Sequence, residues 1–257
     1  MRVERILIPK VIQRIKTLFA PASIHYKGMI LPAKHLRLCG REYLDDEHFL
    51  SAGQVDADRL TEHFGLNAGT RLLDIGCGPG RIAIGILSRI PDFQHYRGVD
   101  IVKKRITWCR RHITRNHPNF QFGYLHLRNL RYNPAGDPIQ SDFRFPFADE
   151  EFDIVCLWSV FSHMITEEVR IYLREVQRML APGGRVFLTA FMEDGVPDMA
   201  VNPRDYEENL SWKGPLHCVR YNKSFFQSLV AESGLRVDYV SDEKVGNGQR
   251  MLHLSNR

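Results

Sequence analysis

The run Asp74-Ile75-Gly76-Cys77-Gly78-Pro79-Gly80 sets a carboxylate at the end of an apolar stretch and glycines at alternate positions directly after it. Glycine removes the side chains that would hold a ligand off the backbone, and a helix starting near Arg81 offers unpaired N–H groups to a polar ligand. Three cofactor classes compete for such a loop. A dinucleotide fingerprint needs a third glycine where Arg81 stands, and Pro79 is foreign to that turn. A phosphate-binding loop needs Gly-Lys-Ser/Thr, which is absent. Asp74 would repel a pyrophosphate but suits a ligand that carries an ammonium and a sulfonium, which points to S-adenosylmethionine.

Asp100, closing Gly98-Val99-Asp100, can accept both hydroxyls of a ribose. A nicotinamide cofactor wants the same acid, so an NAD-dependent oxidoreductase stays as an alternative, and capping a helix at Lys103 is a second job for that carboxylate. Further on, Leu157-Trp158-Ser159-Val160-Phe161-Ser162-His163-Met164 follows another apolar run. The His163 imidazole could take a proton from a hydroxyl nucleophile. Equally, Ser162 or Thr166 could cap the next helix while His163 bonds within the fold, and both readings stand. Five widely spaced cysteines (Cys39, Cys77, Cys109, Cys156, Cys218) form no CxxC pair, which argues against a disulfide framework, expects no metal and fits a cytoplasmic location.

These residues need elements to hold them. From residue 70 onward, short apolar runs alternate with helical spacing, as a parallel sheet requires. Strands are expected at 70–75, 96–100, 120–127, 152–157 and 185–190, with amphipathic helices at 81–90, 103–116 and 167–179 between them. A helix at 224–233 closed by Gly234, and strands at 235–241 and 249–254 joined through Gly246-Asn247-Gly248, complete the pattern. The expected fold is α/β and Rossmann-like: a doubly wound, seven-stranded, mostly parallel sheet with its last strand antiparallel and helices on both faces.

Three segments carry a family resemblance: Leu72-Leu73-Asp74-Ile75-Gly76-Cys77-Gly78-Pro79-Gly80-Arg81, Phe145-Pro146-Phe147-Ala148-Asp149-Glu150-Glu151-Phe152-Asp153-Ile154-Val155, and Arg178-Met179-Leu180-Ala181-Pro182-Gly183-Gly184-Arg185. With them the chain resembles the class I S-adenosylmethionine-dependent methyltransferases of the type 11 and type 12 groups, over residues 66–190. The resemblance implies that Gly76, Cys77 and Gly78, in the loop completed by Gly80, hold the methionine moiety near Asp74. It gives the ribose to Asp100 and the adenine flank to Ile101. The acid that this family often places after the third strand is replaced by His126-Leu127-Arg128-Asn129, so the adenine amino contact passes to Asp142 or Asn129. Ser159 is expected beside the cofactor and His163 toward the substrate.

Methyl transfer asks mainly for positioning, because a sulfonium is already a good leaving group. No Asn/Asp-Pro-Pro-Tyr/Phe follows the fourth strand, which disfavours amino methylation of bases or glutamine by enzymes with that signature, and no Pro-Cys pair serves a covalent route to cytosine carbon-5. The leading expectation is O-methylation of a small, lipid-linked or carbohydrate-linked metabolite. An RNA or protein methyltransferase is the alternative. It rests on Arg2, Arg5, Lys10, Arg14 and Lys16, which interleave with apolar residues at helical spacing, giving a helix over 9–19 that could also touch an anionic membrane. A net charge of +5 does not by itself imply nucleic acid, and no apolar run is long enough to span a bilayer. Residues 1–65 are expected as a helical appendage or lid, with 33–40 closing over the site, and residues 66–257 as the cofactor domain, in a monomer or homodimer. Aromatic residues Tyr206, Trp212 and Tyr221, with His217, could form a wall or lid of the acceptor pocket, while ordinary packing is the favoured role for any one of them.

Overall fold

A computed structural model describes residues 23–37, 40–206, 213–246 and 248–257. The expected helix over 9–19, positions 38–39 of the proposed lid, Trp212 and Asn247 lie outside the described residues.

The central sheet is built from β3 (Arg71–Ile75), β4 (His95–Asp100), β5 (Phe120–Tyr124), β6 (Phe152–Leu157), β7 (Leu180–Glu193), β10 (Leu235–Val245) and β11 (Gln249–Asn256), in the spatial order β10-β11-β7-β6-β3-β4-β5. Strands β3 to β7 pair in parallel, whereas β11 pairs antiparallel with both β7 and β10. This is the expected Rossmann-like sheet. Two short strands extend it: β8 (Met199–Val201) pairs with β9 (Val219–Asn222), which lies parallel to the far end of β7. Leu72, Leu73 and Asp74 are all buried, since helices cover both faces of a parallel sheet.

One face carries α1 (Asp46–Phe64), α2 (Arg81–Arg89) and α3 (Lys103–Cys109), whose Phe49, Leu60, Ile82, Ile86 and Ile106 share a core cluster. The other carries α4 (Thr166–Met179) and α5 (Lys223–Glu232), through Val169, Leu173, Val176, Phe226 and Leu229. No described helix is long and apolar enough to cross a membrane.

Helix α1 falls in the expected helical appendage, though the sequence reading gave it no bounds, and the hairpin before it, β1 (Ser23–Tyr26) and β2 (Met29–Pro32), was not expected. The hairpin turns on Lys27 and Gly28, both at positive φ. The Asp45 side chain accepts from His48 N to start α1, and Gly65 ends it in the left-handed conformation. Along α1, Phe49, Gly53, Asp56, Ala57, Leu60 and Phe64 form the buried face. Gly53 meets Gly85 of α2 so closely that a Cβ on either would enter the backbone of the facing helix. Behind that contact Asp56 pairs with the buried Arg81.

Boundaries differ in two instructive places. Strand β5 ends at Tyr124, not at 127, because Arg128 N turns away to donate to Asp137 O. The helix after β4 widens at Arg110–Thr114 into a single π turn.

Candidate functional site

Open parallel sheets leave a crevice beyond the carboxyl ends of their strands where the crossover direction reverses, here between β3 and β6. A cavity of about 540 Å³ opens there, a volume typical of small-molecule sites. Its floor is Asp74, Ile75, Gly76, Cys77, Gly78 and Pro79; its sides include Asp100, Ile101, Arg105, Leu125, Leu127, Asn129, Trp158, Ser159, His163 and Gln249.

The glycine loop is shaped by backbone needs. Gly76, Gly78 and Gly80 all have positive φ. A Cβ on Gly76 would lie 2.6 Å from Val160 Cγ2, whereas one on Gly78 would meet nothing within 4 Å, so the space over Gly78 is open to a ligand. Gly80 plays a different part from the expected one. It does not line the cavity, and its missing side chain lets α2 approach Ile113 and Cys109, where a Cβ would be 2.8 Å and 3.3 Å from their side chains. Cys77 contributes from the loop, with both its N–H and that of Gly76 donating to Val99 O.

Two carboxyls frame this end. The Asp74 carboxyl is buried and accepts from Tyr96 Oη at 2.5 Å. Burial pushes its pKa up to about 7, with the Tyr96 hydrogen bond opposing and the nearby Asp100 adding to the rise. A positively charged ligand would remove that desolvation cost. Asp100 accepts from Gly78 N at 2.9 Å and from Val102 N at 2.6 Å, and Arg105 stands 4.0 Å away. Burial raises its pKa, against the pull of Arg105 and the backbone donors. Asp100 therefore ties the loop to the start of α3, and its carboxylate borders the cavity. An open glycine cradle, an acid wanting a cation and the apolar side chains of Ile101, Leu125 and Leu127 fit the methionine, sulfonium and adenine parts of S-adenosylmethionine.

At the other end, His163 is held on a 3₁₀ turn, Phe161–His163. Its Nδ1 lies 2.9 Å from Leu216 O, a contact that fixes the proton on Nδ1 and leaves Nε2 as an acceptor, 3.2 Å from Tyr132 Oη. Burial, reinforced by Arg131 and His217, lowers its pKa to about 4 against the opposing Leu216 bond, so the ring is neutral at physiological pH. Neither Ser162 nor Thr166 caps α4. The Ser162 hydroxyl is buried against Ser159 Oγ at 3.0 Å, Thr166 donates to Met199 Sδ, and Glu168 accepts from Ile165 N.

Asn129 reaches the cavity but its amide is occupied: Nδ2 donates to His163 O, and Oδ1 accepts from Arg131 N and Tyr132 N. It shapes the turn that carries Tyr132. Asp142 corrects the sequence expectation, being exposed and away from the cavity, because Arg174 donates to Ser141 O and holds that loop on α4. Ser159, at φ 57, lines the cavity, with N donating to Thr189 Oγ1 and Oγ accepting from Gln249 Nε2. Of the residues offered as a pocket wall, His217 lines the cavity, whereas Tyr206 and Tyr221 are packed in the interior, donating to Gly248 O and Met164 O. Arg37 and Gly40 of the segment 33–40 line the cavity.

Sequence reading missed Arg105, Arg131, Tyr132 and Gln249. Gln249 had a usable signal. It opens an antiparallel last strand, and the first residue of such a strand must lie at the carboxyl edge of its parallel neighbours.

Residues 73–188 match the family model of a methyltransferase domain. The O-methyltransferase rstn1 of Aspergillus nomiae is 26% identical over 64% of this chain and 68% of its own length. The 27-O-demethylrifamycin SV methyltransferase of Amycolatopsis mediterranei is 29% identical over 78% of this chain and 67% of its own. An uncharacterized methyltransferase of Schizosaccharomyces pombe, 27% identical, is matched over 45% of its length, so the chain spans about half of some curated relatives. Among solved structures, a SAM-dependent methyltransferase from Aquifex aeolicus shares the fold with a TM-score of 0.52 at 14% identity, covering 77% of this chain and 88% of that one. The PH0226 protein of Pyrococcus horikoshii does so at 0.55 and 17%, covering 83% and 93%.

Proposed function

We propose that this chain, a class I S-adenosylmethionine-dependent methyltransferase, methylates a hydroxyl of a small acceptor held against His163. The observation that carries this reading is the hydroxyl already lodged at His163 Nε2, that of Tyr132, on a ring whose tautomer is set by the Leu216 carbonyl. A substrate hydroxyl in the same place would meet an acceptor ready for its proton. The cofactor supplies an activated methyl group on sulfur. Gly76, Cys77 and Gly78 hold its amino-acid end with Asp74 facing the cationic centres, Asp100 takes the ribose hydroxyls, Ile101 covers the adenine, and Ser159 borders the sulfur. Asn129 keeps the turn that carries Tyr132 in place. The Aspergillus relative and a ubiquinone biosynthesis relative from Azoarcus, both named as O-methyltransferases, agree with a hydroxyl acceptor.

A release assay for S-adenosylhomocysteine over a panel of hydroxyl, amine and thiol acceptors tests the reading. Turnover is expected with hydroxyl acceptors and falls at least about tenfold in His163→Gln, with S-adenosylhomocysteine affinity kept. Turnover confined to amines or thiols, or undiminished in that variant, would sink it.

A further inference from the structure

The wall around His163 is rich in cations, and one of them combines a buried, unanswered donor with the lack of an acidic partner. Arg37, Arg81 and Arg105 also line the cavity, and they face Asp46, Asp56 and Asp100 respectively, while Arg128 acts on Glu168; Arg41 lines it too, without the buried unanswered donor that marks Arg131. Arg131 has no such ion pair among the described residues. Its Nη1 donates to Lys213 O at 3.1 Å, while its buried Nε has no hydrogen-bond partner. Burying a guanidinium N–H without an acceptor is costly, and a ligand that supplies the acceptor recovers the cost.

Of the four acids on the same cavity, Glu42, Asp74, Asp100 and Glu168, the last three are committed elsewhere. Asp100 holds Gly78 and Val102, Asp74 is bonded by Tyr96, and Glu168 accepts from Ile165 N. The guanidinium of Arg131 lies 5.4 Å from the centre of the Tyr132 ring, and that of Arg105 lies 5.7 Å from it. The hydroxyl of that ring touches His163, so the positive field falls on the place where an acceptor hydroxyl would sit.

We propose that the acceptor carries an anionic group, a carboxylate or a phosphate, that seats on Arg131 next to the hydroxyl to be methylated. The inference rests on the transferase reading of the cavity. The neighbours of Arg131 in this turn, Asn129 and Tyr132, are occupied in holding His163, which leaves the guanidinium as the group to meet an anion there. A planar fork of N–H donors suits either oxyanion, in one-atom or two-atom contact. The anion also has a chemical effect. As the acceptor oxygen forms its bond to the methyl carbon, the methyl–sulfur bond breaks with its electron pair going to sulfur, and the acceptor proton passes to His163 Nε2. Arg131 and His217 oppose that proton, and a bound anion offsets them.

Matched probes test this on the full chain saturated with S-adenosylhomocysteine: salicylate against salicylamide, phenyl phosphate against phenol, and inorganic phosphate as competitor, each by calorimetry. At least one anionic probe is expected to bind about tenfold or more tightly than its neutral partner. That preference should vanish in Arg131→Gln and survive in part in Arg131→Lys, with S-adenosylhomocysteine affinity unchanged in both. Preference for phenyl phosphate identifies a phosphate, preference for salicylate a carboxylate, and either supports the proposal. Equal binding of charged and neutral partners, no binding of any probe, a preference that persists in Arg131→Gln, or loss of S-adenosylhomocysteine binding in that variant would overturn it. Failure of the wild-type chain to bind S-adenosylhomocysteine would instead overturn the transferase reading itself.

Discussion

The two ends of the cavity are made of different materials. The cofactor end is main chain and carboxylate, drawn from β3, the glycine loop and the end of β4, with Asp74 and Asp100 as its acids. The proposed acceptor end is side chain and cation, with Arg131, Tyr132, His163 and His217 brought together from three separate connections. A backbone cradle depends on φ angles and on absent side chains, so a single change there removes binding outright. An end assembled from side chains can be retuned one residue at a time, which lets one fold serve many acceptors.

Substitutions should reveal that asymmetry. The largest effect is expected from Gly76→Val, which places a branched side chain at positive φ against Val160. S-adenosylhomocysteine affinity should fall by more than about a hundredfold in calorimetry. A variant that binds normally would show that the loop is not the cradle. Asp100→Ala removes both the anchor of Gly78 N and the group assigned to the ribose, and should cost about 1.5–3 kcal/mol of the same affinity. Unchanged binding would mean that the ribose lies elsewhere.

A smaller effect, with a distinct signature, belongs to Asp74. Its folded pKa is raised to about 7 from 3.8, so its proton stabilises the ligand-free fold at low pH, and that contribution is lost as pH rises from about 4 through 7. A cationic ligand prefers the ionised form. S-adenosylmethionine should therefore gain about tenfold in affinity between pH 6 and 8, relative to the uncharged-sulfur product, and Asp74→Asn should flatten that ratio. A flat ratio in the unaltered chain would remove Asp74 from the role. Smallest of all, Asp142→Ala should leave binding and turnover within error, since the residue is exposed and away from the cavity.

The same contrast explains what the sequence disclosed. The glycine loop, Asp74 and Asp100 are local: each needs only its own strand end, so spacing was enough to find them. Tyr132 meets His163 only because Arg128 N turns to Asp137 O and ends β5 early, a bend with no periodic signal. Asp142 looked equally suitable on composition, but the Arg174 bond to Ser141 O carries it away. Helix α1 could not be located within the expected helical appendage for another reason. Two members of its buried face are Gly53 and Asp56, which break the apolar spacing, and both are there for partners on α2.

That last contact bears on where the protein can be cut. A chain shortened to begin at residue 66 would keep every residue assigned here to the cofactor, yet it would strand the Arg81 guanidinium, seated directly behind the glycine loop, with neither Asp56 nor the cover of α1. Losing α1 would also bare the apolar side chains that share a core with it, Ile82 and Ile86 among them, at roughly 1.5–3 kcal/mol for each one fully exposed, enough to leave a minimal domain insoluble or unfolded. Residues 46–64 thus set the smallest piece that a fragment-based screen or a domain graft could use.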